Sequence, residues 1–162
     1  MNFAVTFIPD EEYYIEAYSE ILTTLKFKKY ELLFAIIMII IGIILYFADI
    51  HRITGVFPII FSCAGIYEFF KSIYEKKKWF ADRKNAKVFG QQIELHFNDE
   101  IIKYSGPFSK GELSWNGVHK IVSTPKGIII KPENGISIYL PKKYLENDQQ
   151  MQFIISKQKN ST

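Results

Sequence analysis

The chain has 162 residues, of which 20 are lysine or arginine and 17 are aspartate or glutamate, giving a net charge of +3. This length accommodates one modest domain and a membrane anchor, but it excludes two full hydrophobic cores. The small positive excess requires no acidic polymer as a partner. A single cysteine, Cys63, excludes an internal disulfide and is compatible with a reducing compartment.

The N-terminal region, residues 1–30, predicts a short strand followed by an amphipathic helix. Apolar and polar residues alternate over residues 2–8, as in a strand with one buried face. Asp10 marks a helix start, and apolar residues recur at helical spacing over residues 13–25. Anionic lipid headgroups would repel the acidic side chains of this helix, so we expect it to pack against the C-terminal domain.

Residues 31–70 predict a hairpin of two transmembrane helices. Residues 32–48 are seventeen consecutive apolar residues, which at ~1.5 Å per residue cover about 25 Å of the ~30 Å hydrocarbon layer. A globular helix of this length normally keeps a polar face, and this segment has none. The second span, residues 53–70, is less apolar, but the short link formed by residues 49–52 can only return the chain.

The second span carries a small-residue patch and one acidic residue. Ser62, Ala64 and Gly65 allow another helix to approach closely, and the first span is the simplest partner. Glu68 is the one carboxylate of this span, and acids within membranes are functional candidates. Because Glu68 lies near the interface, it can pair with Lys71 three residues later or reach water, and we expect no proton relay.

Lysine and arginine flank the two predicted spans and determine their orientation. The turn between the spans contains Arg52 alone, whereas ten basic residues lie beyond the outer ends of the spans. By the positive-inside rule, both termini face the cytoplasm. The ten residues are Lys26, Lys28, Lys29, Lys71, Lys76, Lys77, Lys78, Arg83, Lys84 and Lys87.

Residues 71–87 are interpreted as a basic juxtamembrane connector. They contain seven basic and two acidic residues, interrupted by Trp79 and Phe80. Such side chains suit the headgroup region, where each basic residue contributes ~1 kcal/mol against anionic lipid. A basic cluster can also bind nucleic acid. The topology of the spans already accounts for this one, so we expect no nucleic-acid partner.

The C-terminal domain, residues 88–162, predicts a cytoplasmic antiparallel sheet. Short alternating segments are separated by turns, and Asn134-Gly135 is typical of a hairpin. The pattern favours a bent sheet or partial barrel capped by one helix, which makes the chain a membrane α+β protein. The predicted strands are residues 93–97, 100–104, 112–122, 128–130 and 136–140, and the predicted helix is residues 144–157.

The titratable and aromatic residues indicate no catalytic or metal site. His51, His96 and His119 fall in three separate segments without a cysteine partner, so we expect no metal, cofactor or small-molecule substrate. Trp115 lies among alternating residues and is expected in the core. No serine shows the strand–turn–helix setting of a hydrolase nucleophile, and we expect no enzyme activity.

Short motifs in the C-terminal domain follow one another in a characteristic order. In sequence they are Leu113-Ser114-Trp115, Val118 with Ile121, an isoleucine-rich hairpin, and Leu140-Pro141-Lys142 before Leu145 and the last helix. This order resembles the YcxB-like bacterial membrane proteins, in which a two-helix hairpin precedes a domain similar to pleckstrin-homology folds. The resemblance implies a bacterial inner-membrane protein with Trp115, Leu140 and Pro141 in the structural core. It implies no catalytic residue.

The sequence therefore favours a non-catalytic, membrane-anchored binding or regulatory protein. In the leading hypothesis, the C-terminal domain contacts an unknown protein partner or a second copy of the chain, and one form is an immunity protein against a toxin. A lipid-recognising module, by analogy with pleckstrin-homology folds, is one alternative. An accessory subunit of a transporter or other membrane complex is the other. In each case the lipid bilayer surrounds a multi-pass anchor.

Overall fold

The computed structural model describes residues 1–25, 27–48 and 55–158. These residues form helices and antiparallel strands, which confirms the mixed α+β composition of the predicted fold. The chain divides into two compact units. The β unit comprises residues 1–24 and the chain from Arg83 onward, and the helical unit comprises residues 25–82.

The strands of the described residues form two antiparallel sheets and no closed barrel. In chain order the elements are β1 (Phe3–Phe7), α1 (Glu11–Thr23), α2 (Glu31–Phe47), α3 (Phe57–Lys84), β2 (Ile93–Phe97), β3 (Ile101–Ser105), β4 (Lys110–Ser114), β5 (Val118–Ser123), β6 (Gly127–Pro132), β7 (Ile138–Pro141) and α4 (Asp148–Ser156). The first sheet has the order β1-β2-β3-β4, and the second has the order β5-β6-β7.

The N-terminal strand β1 belongs to the same sheet as strands from the C-terminal domain. It pairs antiparallel with β2, from Phe3 opposite Phe97 to Phe7 opposite Ile93. Val5 and Phe7 are buried, whereas the residues that flank them along the strand are exposed. The alternation predicted for this strand is confirmed, and it places one apolar face in the core of the β unit.

The isoleucine-rich strand β6 is the centre of the second sheet. Ile128, Ile129 and Ile130 are fully buried, and β6 pairs with both β5 and β7. Gly135, in the hairpin between β6 and β7, has φ +111°, a left-handed conformation that favours glycine. The predicted isoleucine-rich hairpin is thereby confirmed.

The single strand predicted over residues 112–122 is wrong, because the chain turns in its middle. A 3₁₀ turn at Trp115–Gly117 separates β4 of the first sheet from β5 of the second. The Ser114 side chain caps this turn by accepting a hydrogen bond from the Asn116 N–H at 3.2 Å. The dipeptide Asn116-Gly117 is typical of turns, but apolar residues recur on both sides of it and conceal the break.

Helix α1 packs against the second sheet through tyrosine and glutamate side chains. Asp10 caps its N-terminus by accepting a hydrogen bond from the Tyr13 N–H at 2.8 Å. The Tyr13 hydroxyl donates to the Tyr139 carbonyl oxygen at 2.8 Å, and the Tyr139 hydroxyl donates to Glu16 Oε1 at 2.6 Å. Burial raises the pKa of both tyrosines. These contacts confirm that the helix packs against the C-terminal domain.

The C-terminal helix is shorter than the predicted residues 144–157. A separate 3₁₀ turn occupies Lys142–Tyr144. Asn147 then caps α4 by accepting a hydrogen bond from the Gln150 N–H at 3.0 Å, so the helix begins at Asp148. Ile154 is fully buried and anchors α4 in the core of the β unit.

Helix α2 and the larger part of α3 make up the helical unit. The bounds of α2 lie within one residue of the predicted first span. Among the described residues, one helical stretch, Lys28–Phe47, is long and apolar enough to cross a membrane. The start of the predicted second span lies outside the described residues. Helix α3 continues to Lys84, so the predicted connector is helical over most of its length.

Candidate functional site

The helices of the helical unit pack against each other at two glycines. A Cβ on Gly42 would touch the Ser62 side chain and would lie 2.8 Å from the Pro58 carbonyl oxygen. A Cβ on Gly65 would lie 2.8 Å from the Ala35 carbonyl oxygen. The earlier residue of α2, Ala35, thus lies near the later residue of α3, Gly65, and Gly42 lies near Ser62. The two helices are therefore antiparallel. The two backbones approach too closely here for a larger residue.

Two of the three predicted packing residues lie directly at this contact. Ser62 and Gly65 face α2, and Ala64 is half-buried next to them. The Ser62 hydroxyl donates to the Pro58 carbonyl oxygen at 3.0 Å, which satisfies it within its own helix. Sequence reasoning missed Gly42, because a glycine inside an uninterrupted apolar run does not change the hydropathy pattern.

A set of ion pairs, the charge cluster, lies at the end of the helix pair where α2 begins. Lys71 donates to the two Glu68 oxygens at 3.0 and 3.2 Å and lies 4.0 Å from Glu31. Lys28 donates to Glu75 at 2.5 Å. The hydrogen bonds to Glu68 raise the pKa of Lys71, and the hydrogen bond from Lys28 lowers the pKa of Glu75. Of the two possibilities for Glu68, pairing with Lys71 or contact with water, the structure shows the pair.

The outer faces of both helices are apolar and exposed. In a soluble helix pair, the apolar side chains face inward and polar ones face outward. Here the small residues face inward, while large apolar residues face outward. The exposed apolar side chains include Leu33, Phe34, Ile37, Ile40, Ile44 and Phe47 on α2, and Ile59, Ile60, Ile66, Tyr67 and Phe70 on α3.

The basic residues of the connector lie on the last turns of α3 and in the turn that follows it. They are Lys71, Lys76, Lys77, Lys78, Arg83, Lys84 and Lys87. Lys71 belongs to the charge cluster, and Lys84 lies 3.5 Å from Glu11 of α1. All of them except Lys71 and Arg83 are exposed. The exposed side chains are therefore those of Lys76, Lys77, Lys78, Lys84 and Lys87.

The three residues predicted as structural core lie inside the β unit. The indole N–H of Trp115 donates to the Asn98 carbonyl oxygen at 2.8 Å. Its ring meets the Phe153 ring of α4 edge-on, with 6.2 Å between the ring centroids. Leu140 and Pro141, at the end of β7, are also buried. Trp115 thus links the first sheet to the C-terminal helix.

The histidines lie on different elements where the structure describes them. His96 on β2 lies 3.1 Å from the Glu94 carboxylate, and both side chains are exposed. His119 on β5 is exposed, and His51 lies outside the described residues. In the described part of the chain, no three histidine, cysteine, aspartate or glutamate side chains are grouped to hold a metal ion.

The C-terminal part of the chain is similar to a known protein family. Residues 97–157 match the family model described as YcxB-like protein. This segment is therefore similar to YcxB-like proteins. The matched segment runs from the end of β2 through α4 and contains Trp115, Leu140 and Pro141, so the resemblance of its motifs is confirmed. The matched residues do not include α2 or α3. A search of curated proteins and a search of solved structures found no match.

Proposed function

We propose that the chain is a multi-pass protein of the bacterial inner membrane, anchored by α2 and the apolar part of α3. The apolar outer surface of the helical unit supports this proposal. Exposure of such a surface to water is unfavourable in free energy, whereas contact with lipid hydrocarbon is not. Close packing at Gly42 and Gly65 is typical of a helix pair in lipid. The hydrophobic effect does not drive helix association there, and small residues allow the close van der Waals packing that does.

We further propose that the β unit is a non-catalytic binding module with a pleckstrin-homology-like arrangement. A four-stranded sheet, a three-stranded sheet and a C-terminal helix support that arrangement. Residues 88–162 contain nine lysines and seven acidic residues, so they are nearly neutral. Recognition of a phosphate headgroup needs a cluster of cations. A protein, either a different chain or a second copy of this one, is therefore the favoured partner.

An immunity protein against a toxin is one form of this function. A binding unit held at the membrane can block a toxin without any catalytic side chain. In an accessory subunit of a transporter or other membrane complex, the β unit would bind another subunit of the complex instead of a toxin. The neighbouring genes distinguish the two, since a toxin gene favours immunity and a transporter operon favours the subunit.

Both termini are expected to face the cytoplasm, because ten basic residues flank the spans and Arg52 alone lies in the turn. A tag inserted between Ile50 and Ile53 should be labelled by an impermeant reagent in intact cells. The same tag after Gln158 should be labelled only when the cells are permeabilised. Labelling of the C-terminal tag in intact cells would reverse the proposed orientation.

The β unit alone is expected to ignore anionic liposomes. The protein to test is the fused β unit, in which a flexible linker joins residues 1–24 to residues 88–158. A peptide of residues 71–87 should sediment with the same liposomes at low salt and should lose most of its binding at ~150 mM salt, where the Debye length is about 8 Å. Tight, headgroup-selective binding by the fused β unit would establish lipid recognition as its function.

Crosslinking in native membranes tests the protein partner directly. Phe108 and Ile136 are 62% and 75% exposed at the tips of two hairpins of the β unit. A photo-reactive residue at either position should give an adduct with a protein of defined mass. The matched control is the same residue at Ile60, on the outer face of α3, which should give lipid adducts. Lipid adducts alone from all three positions would contradict protein binding.

A further inference from the structure

A cavity of about 360 Å³ opens in the helical unit beside the first turns of α2. Phe27, Phe34, Ala35 and Met38 form its apolar wall. Glu68 of α3, Glu31 at the start of α2 and Lys28 in the 3₁₀ turn before it bring ionisable groups to the same cavity. The volume lies within the range of about 300–1,000 Å³ found for small-molecule sites. The cavity thus combines an apolar wall with ionisable residues of the charge cluster.

The charge cluster around this cavity contains more carboxylates than ammonium groups. Its members are Glu31, Glu68 and Glu75 against Lys28 and Lys71. Lys28 donates to Glu75 and Lys71 donates to Glu68, whereas the Glu31 carboxylate lies 4.0 Å from Lys71 Nζ. Among these described residues the carboxylates outnumber the ammonium groups by one, and Glu31 makes the longest ion-pair contact. A ligand with a cationic group complements this cluster.

We propose that this cavity binds a phospholipid whose headgroup carries a primary ammonium. The ammonium donates to the carboxylates of Glu31 and Glu68, and the phosphate lies towards Lys28. The first carbons of an acyl chain lie along Phe34 and Met38, and the rest of the lipid remains in the bilayer. This inference rests on the proposed membrane anchor, which places the charge cluster at the depth of the headgroups.

The headgroup chemistry distinguishes this lipid from other common ones. A choline headgroup carries the same charge, but its nitrogen has no hydrogen to donate. A glycerol headgroup has no cation to meet Glu31 and Glu68. The site should therefore prefer ethanolamine to choline and to glycerol headgroups. Because only the ethanolamine nitrogen can donate hydrogen bonds to these carboxylates, we expect a preference of about threefold over choline.

Native mass spectrometry of the full chain measures this preference. The protein is mixed in detergent with equal amounts of the three lipids, which carry identical acyl chains, and is then released from the detergent in the mass spectrometer. It should retain about three times as much ethanolamine lipid as choline lipid. The double variant Glu31→Gln with Glu68→Gln should retain the two equally. Met38→Phe, which fills the apolar wall, should lower retention of all three lipids. The control Glu112→Gln removes a carboxylate paired with Lys103 in the β unit and should behave as the wild type.

Equal retention of ethanolamine and choline lipids by the wild type would overturn the proposal. An unchanged preference in the double variant would overturn it as well. Carbonate extraction of the same membranes separates this failure from failure of the membrane anchor. Protein that stays in the extracted membranes without a headgroup preference refutes the lipid site alone. Protein that is released by carbonate refutes both the anchor and the site.

Discussion

Gly42→Ile is expected to separate α2 from α3 while both helices remain in the membrane. The new side chain would meet the Ser62 side chain, and its Cβ would lie 2.8 Å from the Pro58 carbonyl oxygen and the Ser62 backbone nitrogen. Backbone atoms cannot rotate away, so the helices must move apart. Overpacking of this kind costs typically about 1–3 kcal/mol. Isoleucine keeps α2 as apolar as before, so insertion itself should not change.

Thiol crosslinking across the helix pair measures this separation. Cys63 lies on α3 beside a small cavity that Ile43 of α2 also lines. In a variant with Ile43→Cys, a short bismaleimide should join the two thiols within one chain. Addition of Gly42→Ile should reduce the yield several-fold. Gly111→Ile is the matched control, because nothing lies within 4 Å of a Cβ at Gly111. Equal yields with and without Gly42→Ile would show that the helices do not pack at this glycine.

The same helix pair shows which contacts a sequence can reveal. The pair of Glu68 with Lys71 follows from three-residue spacing on one helix. The pair of Lys28 with Glu75 joins residues 47 apart, and no local pattern connects them. Their meeting depends on how two helices align, and so does the contact of Gly42. Sequence reasoning therefore recovered the local half of the charge cluster and missed its long-range half.

The β unit shows a similar division between local and long-range structure. The alternation in β1 and the Asn134-Gly135 hairpin are local signals, and both predicted elements are present. The turn at Trp115–Gly117 contains the turn dipeptide Asn116-Gly117, but this signal was missed because the tryptophan is buried like a strand residue. The start of α4 at Asp148 depends on a cap by Asn147, which the apolar spacing of the preceding residues concealed.

Residues 88–158 alone are expected to be poorly stable, and addition of residues 1–24 through a linker is expected to restore a cooperative fold. Val5 and Phe7 of β1 are 2% and 5% exposed, and burial of each such side chain contributes about 1.5–3 kcal/mol. A whole domain is stable by only about 5–15 kcal/mol. Loss of β1 also leaves the edge of β2 unpaired, so most of the stability should disappear.

Helix α1 should add to the effect of β1, because it supplies contacts of its own. The Tyr13 hydroxyl donates to the Tyr139 carbonyl oxygen, and a hydrogen bond of this kind contributes about 0.5–1.5 kcal/mol. Ala17, also on α1, is 3% exposed. A fusion that adds only residues 1–9 should therefore have a melting temperature between those of the shorter and the longer protein.

Thermal melting followed by circular dichroism compares the three proteins. Residues 88–158 should show a broad, low transition, the fusion with residues 1–9 a sharper one, and the fused β unit the highest. The control is the fused β unit with Phe7→Ala, which keeps chain length and linker but removes a core side chain. We expect it to lose about 3–5 kcal/mol, as buried phenylalanine-to-alanine changes do. Equal melting temperatures with and without residues 1–24 would show that the C-terminal segment folds without the N-terminal strand and helix.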